Sequence, residues 1–463
     1  MQQVNTDTKT VPGPRGNPVV GSMFEFQRDR LGFILKLALQ YGDVVKYRLA
    51  NLSLYQINHP EGVQRILQEN NHNYIKGTSF DLIRYFAGNG LFTSQGEFWL
   101  RQRRQMQPVF HRQRLAGFGE LMTRLTQEML ERWQPKAAEG HPLDISQEMT
   151  HLTMQIVTGA LFSSSVPVPL PEIEKAITTV LADIAYRFDV PFYPPYPVPT
   201  PRNRRTLAAQ GVIDKAIYAI IEERRRHPVE SNDLLALLME ARDEETGEGM
   251  SDKQLHDEVL TLFIAGHETT ANALSWAWYQ LSMHPEVERR LRQELDSVLN
   301  GRLPTPDDLP RMPYARMVID ETLRLHPPAW ITDRMAVKDD VIRGYPIPAG
   351  ATVSVSPYVV HRLPDYWENP EAFDPERFSP ERSAGRAPFA YFPFGGGPHQ
   401  CIGKGFSLME AQFILATVMQ HYRLELAPGH PVEGLAQTTL RPRYGVFMTL
   451  RNVLRNDLGT LVL

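Results

Sequence analysis

Most of the chain carries apolar residues at helical spacing, interrupted by a few short runs of β-branched and aromatic residues. The spacing predicts helices over 115–133, 145–162, 206–225 and 253–283. The last of these would run roughly 45 Å at 1.5 Å per residue, enough to cross a domain. Ser251 and Asp252 are in position to cap it, and Pro285 stops it. Its stretches LTLFIAG and ANALSWAWYQL leave little polar surface, so this helix belongs inside. One further helix ends at His326, because Pro327 and Pro328 disfavour its continuation, and another covers 406–419. Residues 44–57 read as a hairpin turning at Ala50 and Asn51, with strands also expected at 352–356 and 444–450.

Two stretches read as mobile lids. Residues 188–202 (FDVPFYPPYPVPTPR) hold six prolines with Phe192, Tyr193 and Tyr196 between them, a density that no helix survives. Residues 73–89 read as a mixed loop with apolar side chains able to face a ligand.

Composition narrows the chemistry. With 42% hydrophobic residues in 463, the core is large enough to enclose a bulky cofactor, and the net charge of −4 gives no overall affinity for nucleic acid. No apolar run in the polar, Pro/Gly-rich N-terminal segment approaches the roughly 20 residues of a membrane span, and no secretory pattern is present. A single cysteine excludes a disulfide within the chain and a cysteine-rich zinc site, and fits a cytoplasmic location.

That cysteine stands in the run Phe394-Gly-Gly-Gly-Pro-His399-Gln-Cys401-Ile-Gly403, directly before an apolar helix. Three glycines allow the backbone to lie flat against a planar group. A thiol at a helix N-terminus meets unsatisfied N–H groups and a positive dipole end, which favour thiolate. Such a sulfur is suited to ligating haem iron. Elsewhere, Ala265-Gly-His-Glu268-Thr269-Thr270 puts an acid and two hydroxyls inside the long apolar helix, where they need partners or a function. Gly266 lacks a side chain and a threonine can bond back to a carbonyl one turn earlier, so a local bulge, a notch for dioxygen, is expected there. Trp99 and Arg103 fall on one helical face, both able to donate to carboxylates, and Glu321 and Arg324 can pair at i, i+3. Arg101, Arg104, Arg112 and Arg114 read either as a solvated face or as a docking patch for an acidic electron donor.

The loop defined by Phe394, Gly397, His399, Cys401 and Gly403 resembles the cysteine signature of the cytochrome P450 family. The Glu-x-x-Arg pair, the run 265–270 and the Trp99/Arg103 pair resemble the family's other motifs, in its order and roughly its spacing. The resemblance extends from Pro12 to the last strands and implies one mainly α-helical domain over 1–463 with a small β-rich region (α+β), a flexible tail over 1–11 and no fused reductase. It implies haem b with Cys401 as axial ligand, and propionate contacts from Trp99, Arg103, Arg334 and His399. Glu321, Arg324 and Arg377 would form a buried ion network behind the cysteine loop. Thr269 would hold oxygen and its relay water, with Glu268 linking that relay to solvent, and His267 would face into the structure. Phe80, Leu82, Phe86, Phe263, Ala265, Ala329, Trp330, Ile331 and Thr439 would line an apolar pocket for a fatty acid or terpenoid. The implied reaction is monooxygenation with O2, fed by a ferredoxin or flavodoxin with its reductase. A peroxide-using or peroxide-rearranging haem-thiolate enzyme and a non-enzymatic haem sensor are the alternative readings.

Overall fold

Ser251 opens the long helix, Asp252–Met283, with a capping box: its hydroxyl accepts the Gln254 N–H, and the Gln254 side chain accepts the Ser251 N–H at 2.8 Å. The computed structural model, which describes residues 9–163, 170–190, 193–227 and 233–453, packs several other helices against this one. Helix Ile145–Phe162 lies against it most extensively. Its start is fixed by Asp144, whose carboxylate accepts the Ser146 N–H. Gly266 makes the close approach possible, because a Cβ there would stand 2.9 Å from a methyl of Val157. The long helix runs unbroken through 265–270, so the expected bulge is absent and the small residue serves helix packing instead.

The β-rich region is a five-stranded sheet in the order 44–49, 52–57, 352–355, 332–336, 74–76, with its own apolar cluster including Ile57, Val353, Val355 and Phe392. The first two strands are the expected hairpin, with Ala50 in the left-handed region at its turn. The predicted strand over 444–450 starts later, at Phe447–Asn452. The turn before it is occupied by Asp144, which accepts the Val446 N–H at 3.2 Å. Two residues of the expected tail are engaged: the Lys9 N–H donates to the Gly344 carbonyl, and Val11 packs on the sheet cluster. Residues 1–8 of that tail lie outside the described residues.

Both expected lids are fixed structure. Residues 73–89 contain strand Tyr74–Lys76 and helix Ser79–Ala87, joined through Gly77. The proline-rich segment, described except for Pro191 and Phe192, is bolted to the helix before it by a buried ion pair. Arg187 donates to Asp183 at 2.8 Å, to the Asn203 side chain at 2.6 Å and to the Pro194 carbonyl at 3.1 Å, and stacks on Tyr196. Tyr196 in turn stacks on Tyr85 at 4.3 Å and packs edge-on to Phe86, so the two segments close over the core together.

Beneath the sheet, helix Pro313–Leu325 carries Glu321 and Arg324, both wholly buried. Arg324 grips the Glu321 carboxylate through Nε and Nη2 at 2.6 and 2.8 Å and donates to the carbonyls of His361, Pro370 and Ala372. Arg377 and the Asp374 N–H complete the shell around Glu321. Every polar hydrogen of Arg324 thus has an acceptor, which is the condition for a buried pair to be tolerated. Glu321→Ala strands that charge and should cost about 3–5 kcal/mol. The denaturant midpoint should fall markedly, and an unchanged midpoint would contradict the role of the pair.

Candidate active site

The cysteine loop is a closed turn. The Cys401 N–H donates to the Phe394 carbonyl at 2.9 Å and the Gln400 N–H to that of Gly397 at 3.1 Å. His361, buried beside Arg324, accepts the Phe392 N–H at 2.9 Å and so ties the loop to the ion network. Two of the three glycines answer to protein neighbours. A Cβ at Gly396 would lie 2.1 Å from the Phe389 ring, and one at Gly397 would lie 1.9 Å from the Leu67 carbonyl oxygen. Only Gly395 borders open space, so a flat cradle explains that glycine alone.

Helix Lys404–Met419 begins just after the loop, and the N–H groups of Gly403 and Lys404 bond the sulfur. Crowding by protein nevertheless wins: burial of the sulfur pushes the Cys401 thiol up, against those N–H groups and the charges of Arg103 and Lys404. The N–H groups at the helix end act in the expected sense, favouring thiolate, and burial opposes them. As a residue Cys401 is exposed, so one side of this crowded site stays open.

On that side stand Lys76, Arg103 and Arg334. Lys76 and Arg334 are direct cross-strand partners, an arrangement of like charges that opposes pairing. All three donate only to neutral oxygens: Lys76 to the carbonyls of Leu91 and Ser94, Arg103 to that of Gln400, and Arg334 to Thr332 and Asp333. Burial and the nearby Arg334 lower Lys76 to about 7. Burial, then Lys76, Arg334 and Arg103, drive His399 to about 3, so its ring is neutral; it rests on Trp99 with ring centroids 3.8 Å apart. Such a cluster calls for an anion. Lys76 was not among the residues singled out from sequence, because only the long-range pairing of 74–76 with 332–336 brings it here.

The long helix meets the cysteine helix where Thr270 touches Ser407, 3.1 Å between hydroxyls. One position earlier, Thr269 bonds back to the Ala265 carbonyl at 2.8 Å. Ala265 is exposed within an otherwise deeply buried helix, and Glu268 and Thr269 are half-exposed, so this face looks onto an opening. His267 points the other way, buried and bonded to the Phe263 carbonyl. A second acid unflagged by sequence, Glu410, lies fully buried on the cysteine helix near Thr270, and burial holds its carboxyl well above the usual range.

The expected pocket residues divide. Ala329 is exposed, and Thr439 reaches the long helix beside Glu268. Phe80 lies under the cations Lys76 and Arg334, while Phe86 packs beneath Tyr196 and Phe263 is buried in the main core with Leu82 against it. Trp330 turns away: its indole donates to the Gln437 carbonyl and packs with Ile34 and Val359, Ile331 beside it. Arg101 and Arg104 do not form a free basic patch either, because Glu248, Asp243 and Glu245 neutralise them.

The cytochrome P450 family model matches residues 11–448. The chain belongs to the cytochrome P450 family. Cyclooctat-9-en-7-ol 5-monooxygenase of Streptomyces melanosporofaciens is 36% identical over 91% of this chain and 90% of its own. Pentalenene oxygenase of Streptomyces avermitilis is 34% identical over 95% and 96%. The crystal structure of the cytochrome P450DA heme domain superposes with a TM-score of 0.87 at 26% identity, covering 98% of this chain and 99% of that one. This P450 is a monooxygenase that uses haem, O2, a redox partner and an organic substrate. Among the described residues no helix is long and apolar enough to cross a membrane. These residues fit a haem: one open-sided thiol, a long helix with an exposed face near the cysteine helix, and cations without a carboxylate partner that could take propionates. Lys76→Met removes one of these cations and should speed haem transfer to apomyoglobin about tenfold, the loss of one charge-assisted hydrogen bond. An unchanged transfer rate would take Lys76 out of the clamp.

Proposed function

We propose that this P450 oxygenates a cyclic terpenoid skeleton, with Cys401 as the axial ligand of haem b and with electrons from a ferredoxin or flavodoxin. The observation that carries the ligand assignment is the open-sided Cys401, backed by two N–H groups and followed by the helix that meets the long helix at Thr270. Haem, when bound, supplies oxygen activation. The chain's own residues hold and orient. Arg103, Arg334, Lys76 and His399, with Trp99 against it, would hold the propionates. Thr269 and Glu268, half-exposed on the helix face opposite, are the groups available to hold water and pass protons. Ala265 and Ala329 expose small apolar side chains suited to a lipophilic substrate. The substrates for which the two Streptomyces relatives are named support a ring-bearing terpenoid over a fatty acid.

A titration of the ferric enzyme with cyclic terpenes and with fatty acids, read by the haem absorption shift, tests the substrate class. Cyclic terpenes should give the high-spin shift at micromolar concentration and, with a ferredoxin system, products carrying one atom from labelled O2. A high-spin shift with fatty acids alone would overturn this choice. Thr269→Ala should keep haem and ligand binding yet divert most of the electrons consumed into peroxide. Unchanged coupling would refute its role.

A further inference from the structure

Glu268 has no cation for a partner among the described residues. Its Oε1 instead accepts a 2.7 Å hydrogen bond from Thr439, 171 positions later in the chain. Thr439 is itself held: the Asn272 side chain, one turn along the long helix from Glu268, donates to the same hydroxyl oxygen at 3.1 Å. With its oxygen accepting from Asn272, the hydroxyl has its one proton free to aim at the carboxylate. The three groups form a directed chain, Asn272 to Thr439 to Glu268. Thr439 is buried, and Glu268 sits half-exposed on an apolar face where its rotamers would otherwise be free. The other titratable groups near this part of the helix are the buried imidazole of His267, bonded to its own helix, and Glu410 across from Thr270.

The turn carrying Thr439 is equally constrained. It connects strands Gly434–Ala436 and Leu440–Pro442. The Leu440 N–H donates to the Pro328 carbonyl, and the Leu440 carbonyl accepts from the Trp276 indole on the long helix. Trp330 donates to the Gln437 carbonyl. The exposed Ala329 therefore lies between two residues fastened to this turn. A shift of the pocket wall at Ala329 moves the Thr439 hydroxyl, and with it the only donor to Glu268 among the described residues.

We propose that Thr439 is a positioning residue for oxygen chemistry: its hydroxyl, oriented by Asn272, fixes the Glu268 carboxylate and couples it to the pocket wall. The proposal rests on the reading of Glu268 as a relay group, but its geometric half is testable without turnover. In the reduced carbon-monoxide form of the holoenzyme, the infrared C–O stretch reports the field of nearby polar groups. Thr439→Val is nearly isosteric and should split or shift that band, whereas Thr439→Ser should keep it as in the wild type. In a Glu268→Ala background, which removes the acceptor, Thr439→Val should add nothing. Product formed per electron pair should fall about three- to tenfold in Thr439→Val and recover in Thr439→Ser. An unmoved band in Thr439→Val, or an equal shift in Thr439→Ser, would overturn the positioning role. A shifted band with unchanged coupling would retain the hydrogen bond and refute the relay reading of Glu268.

Discussion

The turn that closes from the Phe394 carbonyl onto the Cys401 N–H is the contact on which the rest depends, because it sets where the only sulfur of the chain can stand. A loop this rich in glycine has no stiffness of its own. Its rigidity is borrowed from the wholly buried Glu321–Arg324 pair, reached through His361 on one side, and from Arg103 gripping the Gln400 carbonyl on the other. The ion network lies far from any reacting atom, yet it holds the backbone that carries the thiol. The same loop explains why burial can raise the thiol: protein packs against it through Leu67 and Phe389, at distances that forbid a side chain at Gly396 and Gly397.

Charge organises the other half of the site. Like charges paired across a strand, and a histidine forced neutral between three cations, are costly in a protein by itself. On the proposed reading they would become favourable when two carboxylates enter among them, so unfavourable electrostatics in the fold would prepare affinity for the cofactor. The acidic turn 243–248 works in the opposite sense: it neutralises Arg101 and Arg104 on the helix whose other side chains, Trp99 and Arg103, face the site. That helix is held by surface ion pairs on one side and, on the other, by Arg103 on the Gln400 carbonyl and Trp99 against His399.

Local signals in the sequence located several of the longer helices and four strands. Helix Ile145–Phe162 is legible at both ends, and the long helix to within one residue, because Asp144, Ser251 and Pro285 are short-range punctuation. Residues 73–89 were misread because Gly77 and Gly88, which flank helix Ser79–Ala87, resemble loop signals, while the strand before Gly77 exists only through pairing with 332–336. The chemistry-bearing types Cys401, Glu268 and Thr269 stood out for being polar or nucleophilic in apolar surroundings. Lys76, His361, Glu410 and the link from Thr439 to Glu268 did not, since each is defined by a contact distant in sequence. Gly266 was read correctly as special and wrongly as a notch; periodicity gives the face of a helix but not the neighbour that fills it.

The account stands or falls on the ligation of iron by Cys401. Since the chain has one cysteine, a thiolate signature can have no other source. The direct measurement is the absorption spectrum of the reduced, carbon-monoxide-treated protein, wild type beside Cys401→His. The wild type should show the strongly red-shifted band of a thiolate-ligated haem, and the variant the shorter-wavelength band of a histidine-ligated one. A wild-type spectrum of the histidine type, or a thiolate band that survives in Cys401→His, would contradict it.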